Sequence, residues 1–257
     1  MTAPSPLDLF RLDGRCAIVT GASSGLGARF VEVLVAAGAN VVATARRADR
    51  LEQVCAGRPG AVPVAADVTV ETDRAAVVAL ALDRFGAVDV LVNNAGVTEI
   101  VAAEEESPEQ FGRVLELNLT ASYRMAQLAG APMLRAGRGA IINVTSVLGS
   151  VAAGVIPQVG YVASKHAVVG MTRELAAQWA RRGVRVNAIA PGWFATEMTG
   201  DMTTSEEGGL RWIRSHDPMG RPGLPHELDG ALLYLAGDAS SYVTGQVLHV
   251  DGGWTIV

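Results

Sequence analysis

Short β-branched runs alternate with longer amphipathic segments, and this alternation constrains the fold more than any other feature of the sequence. The short runs have the length and composition of strands, whereas apolar residues in the longer segments recur at i, i+3 and i+4, as on one helix face. We predict strands at Cys16–Thr20, Asn40–Thr44, Val62–Ala66, Val88–Val92, Ala140–Val144, Val184–Ile189 and Gln246–Val250. We predict helices at Gly25–Ala37, Glu71–Phe85, Pro108–Arg135, Tyr161–Arg181 and Pro225–Ala236.

The predicted strands are apolar along almost their whole length, as in a sheet that is buried on both faces. Right-handed crossovers place helices on both sides of such a parallel sheet. We therefore expect a doubly wound α/β architecture, and 257 residues of which 49% are hydrophobic suffice for one domain over residues 1–257. Between Ala195 and Pro222 the pattern weakens, which indicates an insertion over one sheet edge.

Composition and charge exclude several classes of protein. A net charge of -5 is unfavourable for binding nucleic acid or anionic lipid. Cys16 and Cys55 lack metal-ligand spacing, so we expect buried thiols in a reducing, cytoplasmic protein. No signal segment or membrane-spanning stretch is predicted. No metal site is expected, because the four histidines are scattered, at His166, His216, His226 and His249.

A glycine-rich turn connects the first predicted strand to the first predicted helix. It runs Gly21-Ala22-Ser23-Ser24-Gly25-Leu26-Gly27. Glycines let the backbone approach a pyrophosphate closely, and the free N–H groups at the start of a helix attract anions. The G-x-x-x-G-x-G spacing differs from the common G-x-G-x-x-G dinucleotide pattern. A turn without a ligand is the alternative interpretation.

Four further motifs follow this turn in order. They are Asn93-Asn94-Ala95-Gly96, Ser146, Tyr161-Val162-Ala163-Ser164-Lys165 and Pro191-Gly192-Trp193-Phe194-Ala195-Thr196. Together with the glycine turn, they resemble the short-chain dehydrogenase/reductase family over nearly the whole chain. Within that family the sequence is most similar to 3-oxoacyl-carrier-protein reductases and gluconate 5-dehydrogenases, through Val186–Gly192, Thr196-Glu197-Met198 and Val250-Asp251-Gly252-Gly253.

The resemblance implies a Rossmann fold and an NAD(P)-dependent oxidoreductase that interconverts a ketone and a secondary alcohol. It implies that Tyr161 transfers a proton, that Ser146 orients the substrate oxygen and that Asn118 holds a water in a proton relay. Lys165 is expected to bind the nicotinamide ribose. The implied cofactor residues are Gly21, Ser23, Ser24, Gly25, Leu26, Gly27, Arg46, Asp67, Val68, Asn94, Ala95, Gly96, Tyr161, Lys165, Pro191, Gly192, Phe194 and Thr196.

The spacing of Tyr161 and Lys165 has its own chemical meaning. Residues at i and i+4 share one helix face, so both side chains can point into one cleft. Lowering a phenol pKa by about three units requires roughly 4 kcal/mol of phenolate stabilisation. An ammonium at about 4 Å supplies an interaction of that order at an effective dielectric of about 20. We therefore expect Lys165 to lower the pKa of Tyr161. The alternative is a tyrosine packed on its ring beside a snorkelling lysine.

The end of the second strand bears on the choice of cofactor. An acidic residue there would bind the adenosine ribose hydroxyls and repel a 2′-phosphate, but the sequence is Ala45-Arg46-Arg47. Arg46 matches the family position that binds the 2′-phosphate, so NADP(H) is favoured over NAD(H). Alternatively, Arg46, Arg47 and Arg50 form a solvated helix start, since Ser23 and Ser24 replace the basic residue that many NADP enzymes carry in the turn.

The sequence does not identify the substrate. Residues 195–222 are expected to form a substrate lid, whose apolar residues could line a pocket or serve in packing. These are Met198, Met202, Trp212 and Ile213, with Leu148, Val151 and Ile156 opposite. A 3-oxoacyl thioester is one candidate, and an NAD-linked sugar-acid or hydroxysteroid dehydrogenase is the alternative. A non-catalytic dinucleotide-binding regulator is a further hypothesis. Glu104, Glu105 and Glu106 are expected at a solvated helix start, and the family resemblance implies a homotetramer or homodimer.

Overall fold

Seven parallel strands form one central sheet in the structure, a computed structural model that describes residues 5–257. Their order across the sheet is β3-β2-β1-β4-β5-β6-β7. The strands are β1 (Cys16–Thr20), β2 (Asn40–Ala45), β3 (Ala61–Ala65), β4 (Val90–Asn93), β5 (Gly139–Val144), β6 (Val184–Pro191) and β7 (Val247–Val250).

Helices connect the strands and cover both faces of the sheet. They are α1 (Gly25–Ala36), α2 (Ala48–Cys55), α3 (Glu71–Phe85), α4 (Pro108–Leu115), α5 (Ala121–Ala136), α6 (Val159–Trp179), α7 (Asp201–Thr204), α8 (Arg211–His216) and α9 (Asp229–Ala236). π-Helical turns lie at Glu116–Thr120 and Glu206–Leu210. Short 3₁₀ turns occur at Asp8–Phe10, Val147–Gly149, Ala180–Arg182, Pro225–Leu228, Asp238–Ser240 and Trp254–Ile256.

The predicted Rossmann fold is confirmed, and each predicted strand is present with its ends shifted by at most two residues. Helix α2 was not among the predicted helices. The predicted helix Pro108–Arg135 is divided by the π-helical turn that contains Asn118. Within the described chain, no helix has both the length and the apolar character needed to cross a membrane.

The strand order places a crevice at one edge of the sheet. Connections lead outward from β1 through β2 to β3 on one side, and from β4 through β5 and β6 to β7 on the other. The loops that follow β1 and β4 therefore separate at the carboxyl ends of these two strands. Ligands of open α/β sheets bind in the crevice that such a switch in strand order creates.

Two hydrophobic clusters hold the helices on opposite faces of the sheet. On one face, α1 and α9 contribute buried residues such as Phe30 and Leu232. On the other face, α3, α5 and α6 contribute Val77, Met125 and Leu175. The sheet is thus covered on both sides, as the continuously apolar strands require.

A chain of buried hydrogen bonds joins the centre of the sheet to α6. The Asn93 amide donates to Asn143 Oδ1 at 2.9 Å, and the Asn143 amide donates to Thr172 Oγ1 at 2.9 Å. The Thr172 hydroxyl in turn donates to the Val168 carbonyl oxygen at 2.8 Å. These bonds fix α6 against β5, and α6 carries Tyr161 and Lys165.

Removing one hydroxyl tests this connection. We expect Thr172→Val to lower the free energy of unfolding by about 1–3 kcal/mol, because the Asn143 amide is left without its buried acceptor. Thr204→Val is the matched control, since the exposed Thr204 hydroxyl also donates to a backbone carbonyl. Its effect should stay within about 0.5 kcal/mol. Chemical denaturation measures the free energy of unfolding of each variant. An equal decrease in both variants would show that the buried hydrogen bonds contribute no specific stability.

Candidate active site

One cleft of about 320 Å³ lies at the carboxyl ends of the strands and runs from the glycine turn to Tyr161. Every residue for which the resemblance implies a cofactor contact lines this cleft. They are Gly21, Ser23, Ser24, Gly25, Leu26, Gly27, Arg46, Asp67, Val68, Asn94, Ala95, Gly96, Tyr161, Lys165, Pro191, Gly192, Phe194 and Thr196. Ser146 lines it too, whereas Asn118 lies just behind its wall.

The glycine turn is packed too tightly for side chains at two positions. A Cβ on Gly27 would lie 2.2 Å from the Gly21 carbonyl oxygen, and one on Gly21 would lie 2.8 Å from Ala95 Cα. The Ser24 side chain does not cap α1, so the first N–H groups of this helix face the cleft without a capping acceptor. The turn therefore offers backbone donors and the positive end of a helix dipole to an anion.

The Thr20 hydroxyl fastens the loop after β4 to this turn. It accepts hydrogen bonds from the backbone N–H groups of Asn94 and Ala95, both at 3.0 Å. The Asn94 amide donates to the carbonyl oxygens of Thr20 and Gly21 at 3.0 and 3.2 Å. The Asn94 side chain thus holds the glycine turn in place through two hydrogen bonds, a role that the sequence motif did not reveal.

Two arginines lie at the far end of the cleft, where β2 ends. Arg46 is exposed and lines the cleft. Arg47 donates to Ser23 Oγ at 3.1 Å and to Ser24 Oγ at 2.8 Å. It therefore brings positive charge to the two serines that replace a basic residue in the turn. Arg47 is exposed and precedes α2, as the alternative interpretation held, and it also contacts the glycine turn.

The Asp67 carboxylate is fixed at the same end of the cleft. Its Oδ1 atom accepts from the Thr69 backbone N–H at 2.9 Å and from the Thr69 hydroxyl at 2.8 Å. These bonds, mainly the backbone one, hold the pKa of Asp67 below its ordinary value, with a smaller contribution from the Arg46 charge. The carboxylate is therefore ionised at neutral pH and able to accept from an amino group.

Lys165 is a buried cation at the opposite end. Its side chain is only 5% exposed, and Nζ donates to the Val144 carbonyl oxygen at 2.9 Å. Nζ also lies 5.4 Å from the centroid of the Tyr161 ring. Burial lowers the pKa of Lys165 to about 8, because the charged form loses its hydration.

The expected lowering of the Tyr161 pKa does not occur. Burial raises the pKa of this phenol, and a hydrogen bond with the Ser146 side chain opposes the shift only in part. The Lys165 ammonium is directed to the Val144 carbonyl and contributes no resolved lowering. A lowered pKa of Tyr161 would require the Lys165 ammonium close to the phenol oxygen, whereas Nζ is bonded to the Val144 carbonyl oxygen.

Ser146 lies where β5 has just ended, with its side chain buried. Its Oγ atom accepts from the Leu148 backbone N–H at 3.1 Å, so it caps the short turn Val147–Gly149. The same side chain bonds to Tyr161. Ser146 therefore serves as a turn residue and as a neighbour of the tyrosine at once.

Asn118 is buried in the π-helical turn, a distortion that often marks a functional site. Its carboxamide accepts from the Val97 N–H at 2.8 Å and donates to the Val97 carbonyl oxygen at 2.9 Å. It also donates to Ser164 Oγ at 2.9 Å. The side chain thus links the loop after β4 to α6. A Cβ on Gly96 would meet both Asn118 Oδ1 and Lys165 Nζ within 3.6 Å, so these two groups flank one point.

Glu106 was expected at a solvated helix start, which is wrong. Its two carboxylate oxygens each lie 3.3 Å from the Gly160 backbone nitrogen, directly before Tyr161. A carboxylate at this position satisfies an unpaired N–H group and complements the dipole of α6. Glu106 and Gly160 are 54 residues apart, so nothing in the local sequence pairs them.

Apolar side chains pack around Tyr161 in one cluster. Trp193 packs edge-on against Trp212 and Trp254, with ring centroids 5.5 and 5.6 Å away. Six of the seven apolar residues that the sequence suggested as a pocket lining join this cluster: Leu148, Val151, Ile156, Met202, Trp212 and Ile213. Met198 is 46% exposed and lines the cleft at the carboxyl ends of the strands instead. Within residues 5–257 no group of three or more acidic, histidine or cysteine side chains could hold a metal ion.

Comparison with known proteins agrees with this geometry. A family model described as enoyl-(acyl carrier protein) reductase matches residues 21–255. Galactitol 2-dehydrogenase (L-tagatose-forming) of Cereibacter sphaeroides is 40% identical over 96% of this chain and 98% of its own length. Gluconate 5-dehydrogenase of Gluconobacter oxydans is 39% identical, over 97% and 98%. The 3-oxoacyl-[acyl-carrier-protein] reductase of Thermotoga maritima is 38% identical, over 96% and 100%.

Solved structures are similar over the whole chain. A gluconate 5-dehydrogenase from Burkholderia cenocepacia, in complex with NADP and tartrate, superimposes with a TM-score of 0.92 at 34% identity, covering 98% of this chain and 100% of the other. A short-chain type dehydrogenase/reductase from Mycobacterium marinum gives a TM-score of 0.94 at 35% identity, with the same coverage.

The ionisation of Lys165 can be measured directly, because it is the only lysine in the sequence. Protein labelled with ¹³C-lysine should give one side-chain signal that titrates near pH 8, as the lowered pKa requires. The free energy of unfolding should rise by about 2–3 kcal/mol between pH 7 and 10, since the unfolded chain there binds a proton that the folded one has lost.

The same labelled protein in urea is the control, and its lysine should titrate near its ordinary value. A midpoint near that value in the folded protein as well would contradict the buried ammonium.

Proposed function

The chain belongs to the short-chain dehydrogenase/reductase family, and from this premise we propose that it interconverts a ketone and a secondary alcohol with NADP(H) in preference to NAD(H), using Tyr161 for proton transfer. It is an NAD(P)-dependent oxidoreductase with a small-molecule substrate. One observation carries the proposed site: a single cleft joins the phosphate-binding turn to Tyr161, Lys165 and Ser146.

The donors and acceptors along the cleft fit a dinucleotide. The turn before α1 would hold the pyrophosphate, Asp67 the adenine amino group and Lys165 the hydroxyls of the nicotinamide ribose. Phe194 and Thr196 would hold the carboxamide end. Hydride exchange with the substrate carbon is the chemistry that a nicotinamide dinucleotide supplies when bound.

The side chains around Tyr161 supply the proton. The raised pKa keeps the phenol protonated at neutral pH, so it can donate to a carbonyl oxygen during reduction. Ser146, which already bonds to Tyr161, would orient that oxygen. In the oxidation direction the phenol must lose its proton before it can accept the one that the alcohol releases. Asn118 would connect Lys165 to solvent through a water in the relay.

The end of β2 supports NADP(H). No carboxylate occupies the Ala45-Arg46-Arg47 segment, where one would repel a 2′-phosphate. Arg46 is exposed at the cleft, and Arg47 lies against the serines of the turn. A guanidinium binds phosphate with paired hydrogen bonds. The related gluconate 5-dehydrogenase was crystallised with NADP.

Two substrate classes remain in competition. The apolar cluster around Trp193 favours a ketone with an apolar substituent, such as a 3-oxoacyl thioester. The similarity to galactitol 2-dehydrogenase and gluconate 5-dehydrogenase favours a polyol or sugar acid. A screen of polyols, sugar acids and 3-oxoacyl thioesters with both cofactors separates the two substrate classes. Turnover of the thioesters alone would favour the first class, and turnover of the polyols or sugar acids alone would favour the second.

Lid and assembly complete the proposal. Residues 195–222, which include α7 and α8, would close over the substrate, since Trp212 and Ile213 pack beside Tyr161 in one cluster.

We propose a homotetramer or homodimer in the cytoplasm. In support, all four residues of the edge strand β7 are partly exposed, whereas those of β1 and β4 are fully buried.

Removing one hydroxyl tests the proton donor. We expect Tyr161→Phe to bind NADPH within about twofold of wild type while turnover falls by at least about 100-fold, because the variant lacks the hydroxyl that would donate the proton. Stopped-flow or steady-state NADPH oxidation measures turnover, and fluorescence titration measures binding. Tyr123→Phe, on the exposed face of α5, is the control. Substantial residual activity in the first variant would refute the assignment of Tyr161.

Reversing one charge tests the choice of cofactor. For Arg46→Asp we expect kcat/KM with NADPH to fall about 10- to 100-fold, which corresponds to the loss of a charged phosphate contact. The value with NADH should stay the same or rise. Arg84→Asp, an exposed arginine on α3 outside the cleft, should change neither value. An unchanged preference after Arg46→Asp would exclude this residue as the phosphate ligand.

A further inference from the structure

The Glu197 carboxylate forms ion pairs with two arginines at the end of the cleft where a 2′-phosphate is proposed to bind. Arg47 donates to Glu197 Oε2 at 3.0 Å, and Arg50 pairs with the other carboxylate oxygen. Glu197 is separated from these arginines by 150 and 147 residues in the sequence. It lies just after β6, at the start of the proposed lid.

Glu197 lies at the mouth of the cofactor cleft. It lines the cleft together with Ser24, Arg46 and Arg47. The preceding residue, Thr196, approaches the glycine turn so closely that a Cβ on Gly25 would lie 3.4 Å from Thr196 Cβ. The carboxylate therefore stands beside the arginine that contacts both Ser23 and Ser24.

The local charges are distributed unequally among the arginines. Arg47 divides its donors between the two serines and Glu197, and Arg50 is paired with the same carboxylate. Arg46, by contrast, forms no salt bridge within the described part of the chain. The arginines hold the pKa of Glu197 below its ordinary value, chiefly through the hydrogen bond from Arg50, so this side chain is anionic at neutral pH.

We propose that Glu197 is a cofactor-specificity residue that competes with the 2′-phosphate of NADP(H) for Arg47 and weakens the preference over NAD(H). The inference rests on the proposed use of this cleft for a dinucleotide. A 2′-phosphate bound at Arg46 and Arg47 must either displace the carboxylate or bind close to a like charge. Both routes penalise NADP(H) and leave NAD(H), which has no phosphate there, unaffected.

The solvent exposure of Glu197 and its arginine partners determines how strongly Glu197 weakens NADP(H) binding. Glu197 is 54% exposed and its arginine partners 42%, so solvent screens each ion pair and weakens it. A doubly charged phosphate can therefore displace the carboxylate, and the penalty is modest. We expect removal of the Glu197 charge to tighten NADPH binding about 3- to 10-fold.

A purely structural role for Glu197 predicts a different result. If the ion pairs only fasten the lid segment to α2, their loss would change the binding of both cofactors by the same factor, or change thermal stability alone. The ratio of the two dissociation constants separates these cases, because lid attachment is common to both cofactors and the 2′-phosphate is not.

The experiment measures dissociation constants of NADPH and NADH for wild type and Glu197→Gln by isothermal titration calorimetry. Glutamine keeps the size of the side chain and one of its two acceptor oxygens, and it removes the charge. Glu206→Gln is the matched control, since Glu206 is an exposed lid glutamate paired with Arg214. Glu197→Ala repeats the test if the glutamine variant folds poorly. 2′,5′-ADP and 5′-AMP serve as fragments that differ only in the 2′-phosphate.

We expect Glu197→Gln to tighten NADPH and 2′,5′-ADP about 3- to 10-fold, with NADH and 5′-AMP within twofold of wild type and no change in Glu206→Gln. The gain should shrink at high salt. An unchanged ratio, or equal tightening of both cofactors, would overturn the role of Glu197. If wild type binds neither dinucleotide, the proposed function itself fails, which is a distinct result.

Discussion

The attachment of α6 to β5 is the constraint on which the candidate site depends. Lys165 Nζ donates to the Val144 carbonyl oxygen, and Thr145 Oγ1 donates to the Lys165 carbonyl oxygen at 2.9 Å. About two helical turns further on, the bond from Asn143 to Thr172 repeats the connection. Because unpaired buried polar groups are unfavourable, these bonds allow one position of the helix on the sheet. That position places Tyr161 beside Ser146.

The sequence predicted the fold from local patterns and the lining of the cleft from motifs that resemble those of a known family. Continuous apolar runs identify buried parallel strands, and parallel strands bring their carboxyl ends to one edge. Motifs that follow different strands, such as the glycine turn after β1 and Asn94 after β4, therefore meet without any long-range information. The short helix α2 escaped prediction, since Ala48–Cys55 spans only eight residues and buries only Leu51 and Cys55.

Contacts between distant charged residues could not be predicted in this way. The pairing of Glu106 with Gly160, and of Glu197 with Arg47, depends on how two loops fold back, and no spacing records it. The pKa of Tyr161 escaped for a related reason. Its direction depends on burial and on where the Lys165 ammonium points, and the i, i+4 spacing gives only the shared helix face.

Charges at the two ends of the cleft act under different dielectric conditions. Lys165 is buried, so its ionisation responds strongly to its surroundings. Arg46, Arg47 and Glu197 are exposed, where water and salt weaken each interaction. The chemistry at the first end is therefore sensitive to the loss of a single group. Cofactor preference at the second end is a sum of small terms, so a single glutamate can shift it without disturbing the proton transfer.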